Sequence, residues 1–280
     1  MSLPAHEPTP ATIGALLSTL RARTPLVHSI TNLVVTNSTA NALLALGASP
    51  AMVEGGEEVE EFAAVAGALV INLGTMDEAR AQAMRLAAAA ARTAGTPWIL
   101  DPVAVGVLSY RSRIAVELLQ HGPAVVRGNA SEIRAIAGML GIADQAGGGR
   151  GVDSTLQSDA AREAAGALAR HLHCVVVVSG AVDYVTDGAI TAAISNGDAM
   201  MSRVTGLGCT ATALIGACLA VTPDPLTAAV AGMVFTGLAG EMAAELASGP
   251  GTLQVALIDA LYIMDADLVA RRAHLVVRGG

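Results

Sequence analysis

Residues 67–104 read GALVINLGTMDEARAQAMRLAAAAARTAGTPWILDPVA, and this stretch sets the fold. An apolar run with almost no alternation, GALVINLG (67–74), is followed by a strongly helical segment (75–95) and a second apolar run, TPWILDPVA (96–104). A strand with one face in water alternates apolar and polar residues; a strand apolar throughout is covered on both faces. Two such strands separated by a helix are parallel, joined by a right-handed crossover. Outward from here the order repeats: helix in RSRIAVELLQHG (111–122), strand in PAVVRGN (123–129), helix in ASEIRAIAGML (130–140), helix from about Asp159 to His171, strand in CVVVVSG (174–180). AGGGRG (146–151) reads as a mobile loop within this series rather than a domain boundary. From DYVTDGAITAAISNG (183–197) the pattern is that of a hairpin turning at Asp187-Gly188. Beyond Cys209 the chain reads as nearly all helix: 209–221, 225–247 and about 252–272. The expectation is one α/β domain over residues 1–280, with a mostly parallel sheet covered by helices on both faces.

Composition removes several classes of function. The net charge is −8 with no basic cluster, which argues against a nucleic-acid surface. All 16 basic residues are arginine. Without lysine there is no Walker A lysine, no protein-kinase strand lysine and no pyridoxal-phosphate Schiff base. Any phosphate handled here is held by arginine, backbone N–H groups and metal. Three cysteines without metal-type spacing (Cys174, Cys209, Cys218) support neither a disulfide framework nor a zinc site. No leader and no apolar run free of Gly, Pro or charge is long enough to span a bilayer, so a cytoplasmic protein without a membrane partner is expected.

Ligands of open parallel sheets sit at the carboxyl ends of the strands. Those ends read LDP, VRGN and VSG, with GLGC at the entry to the C-terminal helices. In TGLGC, Gly206 and Gly208 let backbone N–H groups turn toward an anion, and Cys209 stands at a helix N-terminus, where a thiol pKa falls. The same letters also describe a tight turn before a packing helix with a small buried cysteine. Asp101 and Glu132 form a carboxylate pair able to hold Mg²⁺ through waters, and Arg127 can meet a phosphate. Capping by Asn129 or Ser131 accounts for NASE equally, but leaves Arg127 unexplained. Ser179 and Gly180 offer a hydroxyl and an N–H, or an ordinary polar strand end. In residues 25–62, Asn32 can bond a small polar substrate and Met52 can supply an adaptable wall or simply core. His28 reads as a hydrogen-bonded structural residue more readily than as a base, and EGGEEVEEF as a solvated helix start.

As a set, PLVHSITN, TANALLALGASPAM, LDPVAVG, RGNASE, RGVDS, VDYVTDG, VTGLGCT and QVALIDALY, in order from Pro25 to Tyr262, resemble the hydroxyethylthiazole kinases, a ribokinase-like family of thiamin salvage. The resemblance implies a ribokinase-like three-layer α/β/α fold without a separate lid domain. It also implies ATP-dependent phosphorylation of the hydroxyl of 4-methyl-5-(2-hydroxyethyl)thiazole, Mg²⁺, and a homotrimer with substrate sites near its interfaces. Carried onto this chain, Met52 and Asn32 touch the thiazole with Gly206 beside it. Arg127, Ser179 and Gly208 hold ATP, Asp101 and Glu132 organise the metal and its waters, and Cys209 stands where most ribokinase-like kinases place a catalytic aspartate. On that reading Cys209 orients the hydroxyl and takes its proton late. Two departures stand out: Leu207 where the family often has threonine, and Arg150 where lysine is common.

Three rival readings remain at this point. One is a related kinase of the hydroxymethylpyrimidine type. The others are a Cys209-dependent hydrolase or acyl transferase, with His28 as its one placed base, and a nucleotide-binding regulator that releases no ADP.

Overall fold

The computed structural model describes residues 7–142 and 154–279. AGGGRG (146–151) and Arg150 lie outside the described residues.

After α1 (Pro10–Arg23), the chain forms β1 (Leu26–Ile30), α2 (Thr36–Leu46), β2 (Ser49–Ala51), α3 (Val59–Val65), β3 (Ala68–Asn72), α4 (Glu78–Ala94), β4 (Trp98–Asp101), α5 (Ser109–Leu119), β5 (Val125–Asn129), α6 (Ala130–Met139), α7 (Ser154–Leu172) and β6 (Val175–Ser179). Next come β7 (Asp183–Thr186) and β8 (Ile190–Ile194), then a 3-10 turn, α8 (Leu207–Leu219), α9 (Pro225–Leu246), α10 (Pro250–Ile263), α11 (Ala266–Arg272) and β9 (Leu275–Gly279). The sheet order is β2-β1-β3-β4-β5-β6-β7-β8-β9. β1 to β6 pair in parallel, whereas β6 to β9 pair antiparallel.

The strands show why their apolar residues do not alternate with polar ones. Ala68 and Val70 join one core with α1, α2, α8, α9, α10 and α11, while Leu69 and Ile71 of the same strand join a second core with α3 to α7. Successive side chains leave a strand on opposite faces, so a sheet covered twice needs apolar residues at both parities. The result is three layers, helix on sheet on helix.

Two expectations are corrected. The single helix expected over about 252–272 is two, because Met264 and Asp265 break it and the Asp265 carboxylate caps the N-terminus of α11. The chain after Cys209 also returns to the sheet as β9, whose partner β8 supplies the edge that local sequence does not reveal. α9 is long and apolar enough to cross a membrane by composition, but 89% of its most apolar window is buried inside the protein.

Candidate active site

The parallel strands bring their polar ends to one rim. Asn72 pairs with Asp101 across β3 and β4, and Asn129 with Ser179 across β5 and β6. One residue beyond the Leu100–Val126 pair stand Asp101 on β4 and Arg127 on β5. α8 crosses this rim with its N-terminus, which carries Cys209 in the first turn.

At the centre is a buried polar cluster. Asn72 donates from Nδ2 to Asp101 Oδ2 at 2.7 Å, and the Thr212 hydroxyl lies 2.9 Å from the same oxygen. Both bonds land on Oδ2, leaving Oδ1 of this buried carboxylate for an outer ligand. Asn32 donates from Nδ2 to Asn72 Oδ1 at 2.9 Å and to Cys209 Sγ at 3.4 Å, while its Oδ1 accepts the Val34 N–H at 3.1 Å. Asn32 therefore reaches the thiol, and its amide protons, expected from the sequence to meet a small polar substrate, are committed inside the protein. Asn72 and Thr212 carry no sequence signal of their own. An asparagine ending a strand reads as a turn residue, and a threonine inside an apolar helix reads as packing.

Beside the cluster lies a cationic corner. Arg127 donates from Nη2 to Ser179 Oγ at 2.8 Å, and its Nε is buried without a partner among the described residues. An orphaned guanidinium N–H at a strand end suits an anion. Gly208 lies inside the first turn of α8, not before it, and a Cβ there would meet Arg127 Nη1 at 2.6 Å. Gly206 caps the helix with φ +83, and a Cβ would collide with Val35 Cγ1. Without a side-chain cap, the first N–H groups of α8 have nothing from Gly206 to bond.

Glu132 sits at the adjoining corner. Its Oε1 accepts the Ala104 N–H and its Oε2 the Asn129 N–H, each at 2.9 Å, while Asn129 Oδ1 accepts the Glu132 N–H at 3.0 Å. The capping reading of NASE and a carboxylate at the rim are thus both present. With both oxygens already accepting, and with no cluster of three metal-ligating side chains among the described residues, the donor set fits a hydrated Mg²⁺ that keeps its waters and takes its other ligands from phosphates.

Electrostatics change one expectation. Burial, and then the nearby Asp101 charge, push the Cys209 thiol up to about 11; hydrogen bonds from Asn72 and Asn32 and the Arg127 charge only partly oppose this. The helix N-terminus does not win, because desolvation of a thiolate outweighs a partial dipole charge. At pH 7 roughly one thiol in ten thousand is ionised. Burial likewise raises Asp101 to about 6 against the Arg127 charge and its two hydrogen-bond donors. Asp183, whose carboxylate accepts the Gly180 N–H at 2.9 Å, is raised to about 6 by burial as well.

Met52 reaches the same rim at its edge, just past β2. Its loop is held by His28 Nε2 bonding Val53 O at 2.8 Å and by Arg80, which pairs with Glu54 at 2.6 Å and donates to Thr31 O. Glu54 is therefore an ion-pair partner, while Glu57, Glu58, Glu60 and Glu61 are exposed. By strand spacing alone the ends of β2 and β4 are about 14 Å apart, so within one chain Met52 stands off from the cluster. His28 is buried edge-on against Phe62 and its pKa is lowered by burial. A neutral ring bonded to Val53 serves no thiol, and the cysteine-hydrolase reading loses its base. Leu207, half-buried, packs against the core and lines a cavity of about 330 Å³ between α2, α8 and α10.

Comparison with known proteins identifies the family and the fold. The profile of the Hydroxyethylthiazole kinase family matches residues 17–267. The chain is 63% identical over 262 residues to a hydroxyethylthiazole kinase of Granulibacter bethesdensis, covering 94% of this chain and 93% of the relative. It superposes on a hydroxyethylthiazole kinase structure from Pyrococcus horikoshii with TM-score 0.88 and 41% identity, covering 95% of this chain and 99% of that one. A Staphylococcus aureus pyridoxal kinase, solved with AMP-PCP, shares the fold at TM-score 0.59 and 13% identity, over 91% of this chain and 98% of that one. The three-layer architecture is ribokinase-like.

Proposed function

The chain belongs to the hydroxyethylthiazole kinase family, and we infer from that premise that it transfers the γ-phosphoryl of ATP to the hydroxyl of 4-methyl-5-(2-hydroxyethyl)thiazole in thiamin metabolism. The observation that carries this reading is the rim where Asp101, the Cys209 thiol, and the Arg127 guanidinium with its orphaned Nε converge beside a helix N-terminus that has no side-chain cap. Phosphoryl transfer through a loose transition state asks for positioning and charge neutralisation rather than a strong base, and these groups supply both.

The roles follow from the chemistry of each group. Arg127, braced by Ser179, holds nucleotide phosphate, and the close approach at Gly208 lets the backbone of α8 share that phosphate. Asp101 and Glu132 hold hydrated Mg²⁺, which neutralises phosphate charge when bound. Gly206 and Asn32 flank the thiazole alcohol, and Met52, too far from the cluster within one chain, closes one side of it across a subunit interface of the trimer. The substrate oxygen bonds to the γ-phosphorus as the bridge to the β-phosphate breaks and ADP departs. With its pKa near 11, Cys209 accepts a hydrogen bond from the hydroxyl and orients it. The protonated sulfur is no base, so the proton leaves late, onto an oxygen of the transferred phosphoryl group. This revises the role expected from the sequence, in which the sulfur took the proton.

Residues 1–280 act as one kinase domain, assembled as a homotrimer in the cytoplasm. The apolar Leu33, Val34, Leu44, Val255, Tyr262 and Ile263, exposed on and beside α2 and α10, supply the surface that assembly needs. Three unpaired thiols suit a reducing compartment. The test is ADP release with the thiazole alcohol, Mg²⁺ and ATP, omitting each in turn. Turnover only with all three supports the reading. ADP without the alcohol indicates an ATPase, none at all a binding protein, and preference for a hydroxymethylpyrimidine the sister kinase.

A further inference from the structure

We propose that Asn72 is a positioning residue for the transfer: its side-chain amide aims Asn32, and through Asn32 the Cys209 sulfur, at the reacting hydroxyl. The inference rests on the kinase reading and adds to it a residue that touches neither nucleotide nor substrate.

The geometry is fully determined. Asn72 is buried at the end of β3, and its amide orientation follows from its neighbours without ambiguity: Oδ1 accepts the backbone N–H of Gly74 at 2.9 Å, and Nδ2 faces the Asp101 carboxylate at 2.7 Å. A carboxylate oxygen cannot donate and a backbone N–H cannot accept, so a flipped amide would lose both bonds. Oδ1 then takes one proton of Asn32 Nδ2 at 2.9 Å, which turns the other toward Cys209 Sγ at 3.4 Å. Asn32 is fixed at its far side by the Val34 N–H on its Oδ1. A sulfur that already accepts one N–H has its remaining lone pair and its own S–H directed by that contact. The bond to Asp101 anchors Asn72, the bond to Asn32 aims the amide that reaches the sulfur at 3.4 Å, and the Asn72 amide also favours the thiolate directly. A Cβ on Gly74 would lie 2.6 Å from Asn32 Cβ, so the turn after β3 also fits closely against this amide.

The experiment compares the full-length wild type with Asn72→Ser, Asn32→Asp, Cys209→Ser and the double variant Asn72→Ser/Cys209→Ser, measuring kcat, both KM values and thermal midpoint. Asn32→Asp keeps an acceptor for Val34 but removes both N–H bonds from the loop side, so the thread is cut without altering the strand. We expect Asn72→Ser and Asn32→Asp each to lower kcat several-fold, by no more than the roughly tenfold loss expected for removing the thiol, with KM for ATP within about twofold. In the Cys209→Ser background, Asn72→Ser should cost less than about threefold, because the effect passes through the sulfur. A kcat within about twofold of wild type for either single variant, or losses that multiply in the double variant, overturns the positioning role. A wild type that releases no ADP overturns the kinase reading and this inference together. A fully active wild type with unmoved variants overturns this inference and leaves the kinase reading standing.

Discussion

Replacing Asp101 by asparagine should make the protein more stable and less active. The carboxylate is buried, and burial raises its pKa from 3.8 to about 6 despite Arg127, Thr212 and Asn72. That rise of about two, at roughly 1.4 kcal/mol per pKa unit, makes the ionised side chain cost the folded state about 3 kcal/mol. The sign follows from which state binds the proton more tightly. Below about pH 4 the group is protonated in both folded and unfolded chains, and its stabilising contribution is fully present. Between pH 3.8 and about 6 the unfolded chain ionises first, and the contribution is lost as pH rises through the folded pKa. The substituted amide would still accept from Asn72 and Thr212 through its carbonyl oxygen, but it never ionises. In urea titrations at equal protein concentration, Asp101→Asn should match wild type near pH 4 and exceed it by about 1–3 kcal/mol at pH 7.5. ADP release should fall at least about 100-fold, because the charge that faces the metal and phosphates is gone. An Asp101→Asn protein less stable than wild type at pH 7.5, or a stability difference that does not change between the two pH values, would refute the desolvation argument.

Other expectations follow from single contacts. Arg127→Lys keeps the charge but loses the fork that meets Ser179 and lies over Gly208, so KM for ATP should rise about tenfold with little change in thermal midpoint; an unchanged KM counts against the phosphate role. Gly206→Ala puts a side chain at φ +83 against Val35, and should cost about 1–3 kcal/mol in urea together with much of kcat. Cys209→Ala should lower kcat about tenfold when chemistry limits the rate, and full turnover would remove the thiol from the account. From pH 6 to 8 the Cys209 thiol stays protonated, so the rate should show no acceleration with the slope of a thiol ionising near 7.

Much of this site was legible because its residues close parallel strands. Asp101 before Pro102, Arg127 before Gly128 and Ser179 before Gly180 are each one polar residue after an apolar run, which places them on a common rim without knowledge of the packing. Asn72 and Thr212 were not legible. Their meaning comes from the register that sets Asn72 beside Asp101 and from α8 lying across β3 and β4, contacts made between residues far apart in sequence. The Cys209 pKa misled for a related reason. A local rule about helix ends gave one sign, and the depth of burial gave the other. The same limit hid β9, whose LVVRG becomes a strand only because β8 offers an edge, and the break at Asp265, where a capping carboxylate sits inside a helical pattern.

The central claim is that phosphate is gripped here with no lysine, by Arg127, the N–H groups that open α8, and a hydrated metal between Asp101 and Glu132. A crystal structure with a non-hydrolysable ATP analogue, Mg²⁺ and the thiazole alcohol tests it directly. The account predicts a nucleotide phosphate against Arg127 and the first turn of α8, the metal within a water's reach of both carboxylates, and the alcohol oxygen beside Cys209 Sγ. Phosphates seated elsewhere on the molecule, with Arg127 still facing Ser179 alone, would contradict it.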